Sequence, residues 1–128
     1  MDTSKLKYTE THEWVQLNGS TATVGITEHA QKEISDVVFV ELPAMGRQTS
    51  PKESVMVIES VKAAFDIYSP VSGKIIRVND QLKDKPALVN NSPYGEGWLY
   101  QIECSDPKEL DLLLTEDQYK SAKQHSGH

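Results

Sequence analysis

The sequence predicts a small, mainly β domain with short helices, most of them towards the C-terminal end. Short runs of alternating or β-branched residues recur along the chain and are separated by turn signals such as Asn18-Gly19. After Cys104 the pattern changes to helix-capping residues followed by charged positions. The length of 128 residues is typical of one domain. We therefore expect residues 1–128 to form a single domain, with a core at about 7–104 and a helical segment at about 106–124.

The N-terminal third predicts a hairpin, a short helix and a buried strand. Residues 13–17 alternate and end at Asn-Gly, which is a strong hairpin signal, and residues 21–26 return as the second strand. Thr27 is expected to cap the short helix that follows. Residues 36–42 are β-branched and nearly continuous, which is typical of a buried strand.

The central region predicts four further strands. They are expected at residues 54–58, 63–68, 74–78 and 98–103. Residues 79–97 are rich in Asn, Pro and Gly and are predicted to be a loop. Four large apolar residues are expected in the core between sheets: Val38, Val40, Val57 and Ile76.

Two helix starts are predicted beyond the last strand. Asp106 is placed to act as an N-cap, with Pro107 at the first helical position and Glu109 completing a capping box. Thr115 and Gln118 repeat the same spacing.

Charge and targeting signals exclude several functions. The net charge is −6, the pI is about 5.1, and no run of Lys and Arg occurs, so nucleic acid is not an expected partner. The first ten residues have no apolar run, and no segment approaches the ~20 apolar residues of a membrane span. We expect no membrane association and a cytoplasmic location, or the mitochondrial matrix for a processed form.

The cysteine and histidine residues predict neither a catalytic site nor a metal site. Cys104 is the single cysteine, so no internal disulfide or thiolate pair is possible, and an ordinary side chain is favoured over a nucleophile. The four histidines form no HxxxH or HExxH pair, and no metal site is predicted.

Lys62 is unusual because it lies among small and apolar residues between two predicted strands. Its nearest charged neighbours are Glu59 and Asp66, either of which is within reach of a salt bridge. A catalytic amine needs a dry site or a neighbouring cation, and acidic neighbours supply neither. An exposed lysine at a turn is common, so from the residues alone a solvated lysine, an ion pair and a point of covalent attachment all remain open.

Six strings around this lysine and along the rest of the chain occur in one order. They are HEWV (12–15), ATVGIT (22–27), DVVFVELP (36–43), ESVKAA (59–64), DIYSPVSG (66–73) and PYGEGWL (93–99). This pattern resembles the glycine cleavage system H-protein family, and ESVKAA resembles its lipoyl-attachment site. Together with the shorter matches AQ (30–31), VN (78–79), LVN (88–90) and EL (109–110), these strings cover nearly the whole chain.

The resemblance implies a fold and a role. The expected fold is a lipoyl-domain-like sandwich of two antiparallel sheets (a barrel-sandwich hybrid), with Lys62 at a hairpin tip bearing lipoic acid in amide linkage. The expected protein is not an enzyme but a carrier subunit in glycine catabolism and one-carbon metabolism. It would shuttle the aminomethyl group of glycine from glycine decarboxylase (P protein) to the aminomethyltransferase (T protein). Dihydrolipoamide dehydrogenase (L protein) would then reoxidise the arm.

The resemblance also assigns site residues. Glu59 and Asp66 are expected to help recognition by the lipoyl-attaching enzyme, and Glu13 and Phe65 to take part in docking of the arm. Without the resemblance, Glu13 is interpreted as a solvated strand residue. Phe65 stands where a small polar residue is usual in the family.

The chain departs from the family pattern at three further places. Ser35 stands where glycine is usual, and residues 50–54 lack a glycine that commonly precedes the lysine strand. Glu33 stands where some members have histidine near the groove in which the arm rests.

Three other functions are alternatives to this role. An H-like protein that relays lipoyl groups to other lipoyl-dependent enzymes would use the same Lys62. A biotin carrier usually has Met on both sides of its lysine, whereas Val61 and Ala63 flank Lys62 here. A β-rich binding module without modification would differ from all of these in its intact mass.

Overall fold

A computed structural model describes residues 3–126 and shows two antiparallel sheets with short helices, as expected from the resemblance. One sheet has six strands in the order β1-β2-β3-β9-β8-β5, and the other has three in the order β4-β6-β7. The strands are β1 (Lys7–Tyr8), β2 (Glu13–Asn18), β3 (Thr21–Ile26), β4 (Val37–Glu41), β5 (Gln48–Thr49), β6 (Ser54–Ser60), β7 (Ala64–Tyr68), β8 (Gly73–Val78) and β9 (Tyr100–Cys104).

The helices are short and partly unexpected. They are α1 (Glu28–Ile34), α2 (Gln81–Asp84), α3 (Leu88–Asn91) and α4 (Glu116–Ser126), with 3-10 helices at Thr3–Lys5 and Pro107–Leu112. The prediction of a plain loop at 79–97 is wrong, because α2 and α3 lie in it and bury Leu82 and Val89. Four residues are too few to show helical periodicity in a sequence. Within the described residues, no helix is long and apolar enough to cross a membrane.

Local signals placed the first hairpin and α1 correctly. Asn18 pairs with Thr21, so a two-residue loop connects β2 and β3, and Gly19 has a φ of 65° that favours glycine. The Thr27 hydroxyl accepts a hydrogen bond from the Ala30 amide and caps α1, as predicted.

The main core lies between the two sheets, but two of its predicted members are exposed. Val40 is buried and Val57 is half-buried, whereas Val38 and Ile76 are 54% and 38% exposed. In β4 the pairing register shifts between Val37 and Phe39, and in β8 it shifts between Ile75 and Arg77. A β-bulge turns the extra residue away from the core face, so the prediction for Val38 and Ile76 was wrong.

The C-terminal caps differ from each other. Thr115 and Gln118 form the predicted reciprocal capping box, with N···O distances of 2.9 and 3.2 Å. Asp106 caps the 3-10 helix by accepting from the Lys108 amide at 3.2 Å. Glu109 does not complete that capping box; its carboxylate accepts from the amide and hydroxyl of Ser72, each at 2.7 Å.

Candidate functional site

The turn that carries Lys62 connects β6 to β7 and is held by main-chain and serine hydrogen bonds. The Ser60 amide donates to the Ala63 carbonyl at 2.9 Å. The Ser60 hydroxyl accepts from the Lys62 and Ala63 amides at 3.1 and 3.2 Å. Lys62 is exposed, as are its neighbours Val61 and Ala63, so the prediction of an exposed lysine between two strands is confirmed. The turn is fixed while the lysine side chain remains accessible.

The Lys62 amine makes one described contact with the body of the protein. Its Nζ donates to the main-chain carbonyl of Glu33, near the end of α1, at 3.2 Å. Both residues are exposed. A single solvent-exposed hydrogen bond is a weak restraint, so the amine is free to leave this position.

Glu59 and Asp66 lie on one exposed face of the β6–β7 hairpin. Glu59 pairs with Ala64, and Asp66 pairs with Val57, so all four residues share a face. Asp66 also accepts a hydrogen bond from the Ser54 hydroxyl at 2.9 Å, which connects the two strands. A partner that approaches this face of the turn meets two carboxylates.

Phe65 lies on the opposite face of the same hairpin. It pairs with Ile58, which is fully buried, and its half-buried ring packs against the main core. The ring is therefore directed away from the face that carries Glu59 and Asp66. Its predicted role in docking an arm stays a prediction.

Glu13 is buried and not solvated, which corrects the interpretation made from the residues alone. It opens β2, is 1% exposed, and accepts hydrogen bonds from the hydroxyls of Thr9 and Thr11 through Oε1. Its Oε2 accepts from the Tyr68 amide at 3.4 Å. Burial raises the pKa of the Glu13 carboxyl above its ordinary value, and these hydrogen bonds oppose the shift.

A cavity of about 470 Å³ opens beside Glu13. Its wall includes Tyr8, Lys52 and Tyr68, together with apolar residues at 112–114 that precede α4. Phe65 and Lys62 are not part of this wall. A buried carboxylate in a partly apolar cavity is suited to receive a cationic group that needs shielding from water.

Sequence patterns did not identify the partners that bury Glu13. Thr9 and Thr11 come from the β1–β2 loop, and Tyr68 comes from the far end of β7. Only the spacing Thr9-x-Thr11-x-Glu13 was visible as a local signal. The contact with Tyr68 spans 55 positions and depends on how the two sheets pack.

The structure also brings together residues that the sequence left scattered. His12, His29 and Glu33 place one potential metal-binding atom each within 4.8 Å of one another. The sequence contains no HxxxH or HExxH pair, so its pattern does not reveal this grouping, and the expectation of no metal site stays a prediction. His12 is 17 positions before His29 (29 − 12), so only the one-turn spacing of His29 and Glu33 was a detectable signal.

Cys104 has the properties of a structural side chain. It is 8% exposed at the end of β9. Burial raises the pKa of its thiol, with a further contribution from Glu103 and Glu109. A buried, protonated thiol is unreactive.

A two-sheet β fold with an exposed lysine at a hairpin tip is the arrangement that the resemblance implied, and comparison with known proteins agrees. A family model described as "Glycine cleavage H-protein" matches residues 6–126. The chain belongs to this family.

Individual relatives match along most of their length. A glycine cleavage system H protein of Methylacidiphilum infernorum is 52% identical over 117 residues, which cover 91% of each chain. One from Thermotoga maritima is 54% identical over 114 residues, covering 89% of this chain and 92% of that protein. The crystal structure of a glycine cleavage system H protein from Mycobacterium marinum superposes with a TM-score of 0.83 at 35% identity, covering 98% of both chains.

Proposed function

We propose that the chain is a single-domain, non-catalytic lipoyl carrier of the glycine cleavage system, with lipoic acid amide-linked to Lys62. The observation that carries this proposal is the accessible Lys62 amine on the fixed β6–β7 turn, in a chain that belongs to the H-protein family. A lipoyl-attaching enzyme needs an amine that protrudes, and only the exposed contact with Glu33 has to be broken. The residues present therefore fit the group.

The proposed role divides the chemistry between the group and the chain. Lipoic acid supplies a reversible disulfide that accepts the aminomethyl group of glycine. The chain supplies a body that the P, T and L proteins recognise, and tethering raises the effective concentration of the arm at each docked partner. The bacterial sources of the relatives favour a cytoplasmic location.

Glu59 and Asp66 are proposed as recognition residues for the lipoyl-attaching enzyme. Both side chains are exposed on one face of the β6–β7 hairpin, where an enzyme that binds the turn can contact them. Asp66 also has a structural role, because it accepts a hydrogen bond from the Ser54 hydroxyl on the paired strand. Glu59 is therefore the cleaner residue for testing recognition.

Attachment is tested by intact mass after treatment with a lipoate ligase and ATP. We expect the wild type to gain one lipoyl group and Lys62→Ala to gain none. Lys74→Ala is the matched control, because Lys74 is an exposed lysine on β8 in the other sheet, and it should be modified like the wild type. Modification of Lys62→Ala would contradict the proposed site.

Turnover separates glycine cleavage from the relay of lipoyl groups. We expect the lipoylated chain to support glycine decarboxylation when mixed with P, T and L proteins. A chain that is lipoylated but inactive with these proteins, and that donates its lipoyl group to another lipoyl domain, would favour the relay. The relatives are named as proteins of the glycine cleavage system, which favours the first role.

Glu13 is proposed to hold the loaded arm in its cavity. The support is a buried carboxylate at the wall of a cavity large enough for a small chain. We expect Glu13→Ala to shorten the lifetime of the aminomethylated carrier several-fold, measured as formaldehyde release. Glu10→Ala is the control, because Glu10 lies at the same cavity and is exposed, and it should have little effect. Equal lifetimes in all three proteins would exclude a guarding role for Glu13.

A further inference from the structure

Three side chains with metal-binding atoms converge between α1 and the loop before β2. His29 and Glu33 are one helical turn apart on α1, and the distance from His29 Nε2 to Glu33 Oε1 is 2.9 Å. His12 approaches from the loop, with its ring centroid 4.6 Å from that of His29. The three potential donor atoms lie within 4.8 Å of one another.

The main chain of His12 is held in an unusual conformation that aims its ring at this point. His12 has a φ of 72°, which is uncommon for a residue other than glycine. Its amide donates to the Thr9 carbonyl at 3.2 Å, and its carbonyl accepts from the Thr27 amide at 3.0 Å. Such a conformation costs free energy and persists only where the surroundings fix it, which is frequent at binding sites.

The His12 ring is oriented by a hydroxyl pair behind it. Its Nδ1 lies 2.7 Å from Tyr119 Oη, and Tyr119 Oη lies 2.8 Å from Thr27 Oγ1. When Nδ1–H donates to Oη, Nε2 is the ring nitrogen that carries the lone pair required of a metal ligand. An imidazole whose second nitrogen donates to a fixed oxygen is the usual arrangement around protein-bound zinc.

We propose that His12, His29 and Glu33 form a binding site for one divalent transition-metal ion of the Zn²⁺ class. Two imidazoles and one carboxylate favour Zn²⁺ and its neighbours over Mg²⁺ and Ca²⁺, which prefer oxygen ligands. Tetrahedral donors at zinc are roughly 3.3–3.6 Å apart, so the three atoms need small side-chain movements. Glu33 is exposed and has the freedom to make them.

The site lies beside the resting position of the Lys62 amine. The same Glu33 whose side chain would bind the metal accepts from Lys62 Nζ through its main-chain carbonyl. Three protein ligands leave a fourth position for water or an external donor. Metal binding would fix the end of α1 on which Lys62 rests. The site itself requires no lipoyl group, so metal binding can be tested independently of the proposed function.

Calorimetric titration of the unmodified full chain with ZnCl₂, in metal-free buffer, tests the proposal. We expect one Zn²⁺ per chain for the wild type and a loss of affinity of about 100-fold or more for His29→Gln and for Glu33→Gln. Because Glu33 is exposed, its substitution leaves the core intact. The double variant His125→Ser/His128→Ser is the control for binding by the other histidines, and it should bind as the wild type does.

Cobalt provides a second readout of geometry. We expect Co²⁺ to give the intense visible bands of a tetrahedral site in the wild type and weak ones in Glu33→Gln. Tyr119→Phe removes only the hydroxyl behind His12 and should weaken Zn²⁺ binding about 10–100-fold. Unchanged Zn²⁺ binding in both His29→Gln and Glu33→Gln, or its loss in the His125→Ser/His128→Ser variant, would overturn the proposal.

Discussion

Ser35 occupies a backbone conformation that glycine adopts with much less strain. It ends α1 with φ 71° and ψ −161°, a combination that is essentially restricted to glycine and costs about 1–3 kcal/mol for other residues. Two contacts hold it there: its amide donates to the Gln31 carbonyl at 3.2 Å, and its carbonyl accepts from Asn90 Nδ2 at 2.8 Å. Both contacts use the main chain, which glycine retains. Replacement of Ser35 by glycine should therefore stabilise the protein.

The expected gain follows from two opposing terms. Removing the Cβ relieves about 1–3 kcal/mol of strain. The greater freedom of glycine in the unfolded chain costs about 0.5–1 kcal/mol. The net stabilisation for Ser35→Gly is therefore about 0–2.5 kcal/mol, and its central value of ~1 kcal/mol corresponds to a rise in Tm of roughly 4 °C for a chain of this size.

Urea unfolding measures this difference if the slope of the transition is unchanged. Ser35→Ala is the matched control, because it removes the hydroxyl and keeps the Cβ, and we expect its stability to lie within about 0.5 kcal/mol of the wild type. If Ser35→Gly and Ser35→Ala have the same midpoint, backbone strain at this position does not limit stability and the reasoning is refuted.

Two other substitutions test the contacts at the start of β8. A Cβ on Gly73 would lie 2.2 Å from the Glu103 carbonyl oxygen in the paired strand, so Gly73→Ala should lose about 3 kcal/mol or more in urea unfolding, and a loss below about 1 kcal/mol would contradict the close approach. The Glu109 carboxylate accepts from the amide and hydroxyl of Ser72, so Glu109→Ala should lower the free energy of unfolding by about 1–3 kcal/mol. Thermal unfolding of Glu109→Ala that matches the wild type would show that this connection contributes nothing.

The strands were largely predictable because each is encoded by its own short pattern. Alternation identified β2 and β3, and β-branched runs identified β4 and β6. The two-residue strands β1 and β5 were missed, since two residues show no period. The outward positions of Val38 and Ile76 were missed because a bulge depends on pairing with another strand.

The features of the site that depend on local sequence could be predicted, and those that depend on contacts between distant elements could not. The exposed turn of Lys62 follows from its own sequence, in which two predicted strands flank a segment of only a few residues. The burial of Glu13 depends on Tyr68, and the grouping of His12 with His29 depends on how a loop meets α1. Neither contact is local, so no pattern within one element reports it.

Two positions at which the chain departs from the family pattern have backbone conformations that favour glycine. Residues 50–54 contain Lys52 with a φ of 69°, and Ser35 has a φ of 71°. Both lie where the resemblance implied a missing glycine. The fold thus keeps the glycine conformations after the glycines are gone, and it carries the associated strain.

The β6–β7 hairpin relates the proposed attachment point to the Glu13 cavity. Lys62 precedes β7, and Tyr68 at the end of β7 donates its amide to Glu13 and lines the cavity. Six residues of extended chain span roughly 20 Å, and pairing with β6 holds that distance constant. Under the proposed function, the arm would therefore reach the cavity by its own flexibility and not by movement of the turn.

The effect of Glu13 on a bound amine differs from that of a surface ion pair. An exposed ion pair contributes ~0.2–1 kcal/mol, whereas Glu13 is buried and less screened by water. An amine that enters the cavity must compete with the hydroxyls of Thr9 and Thr11 for the same carboxylate, so protection of the loaded arm depends on exclusion of water as much as on charge.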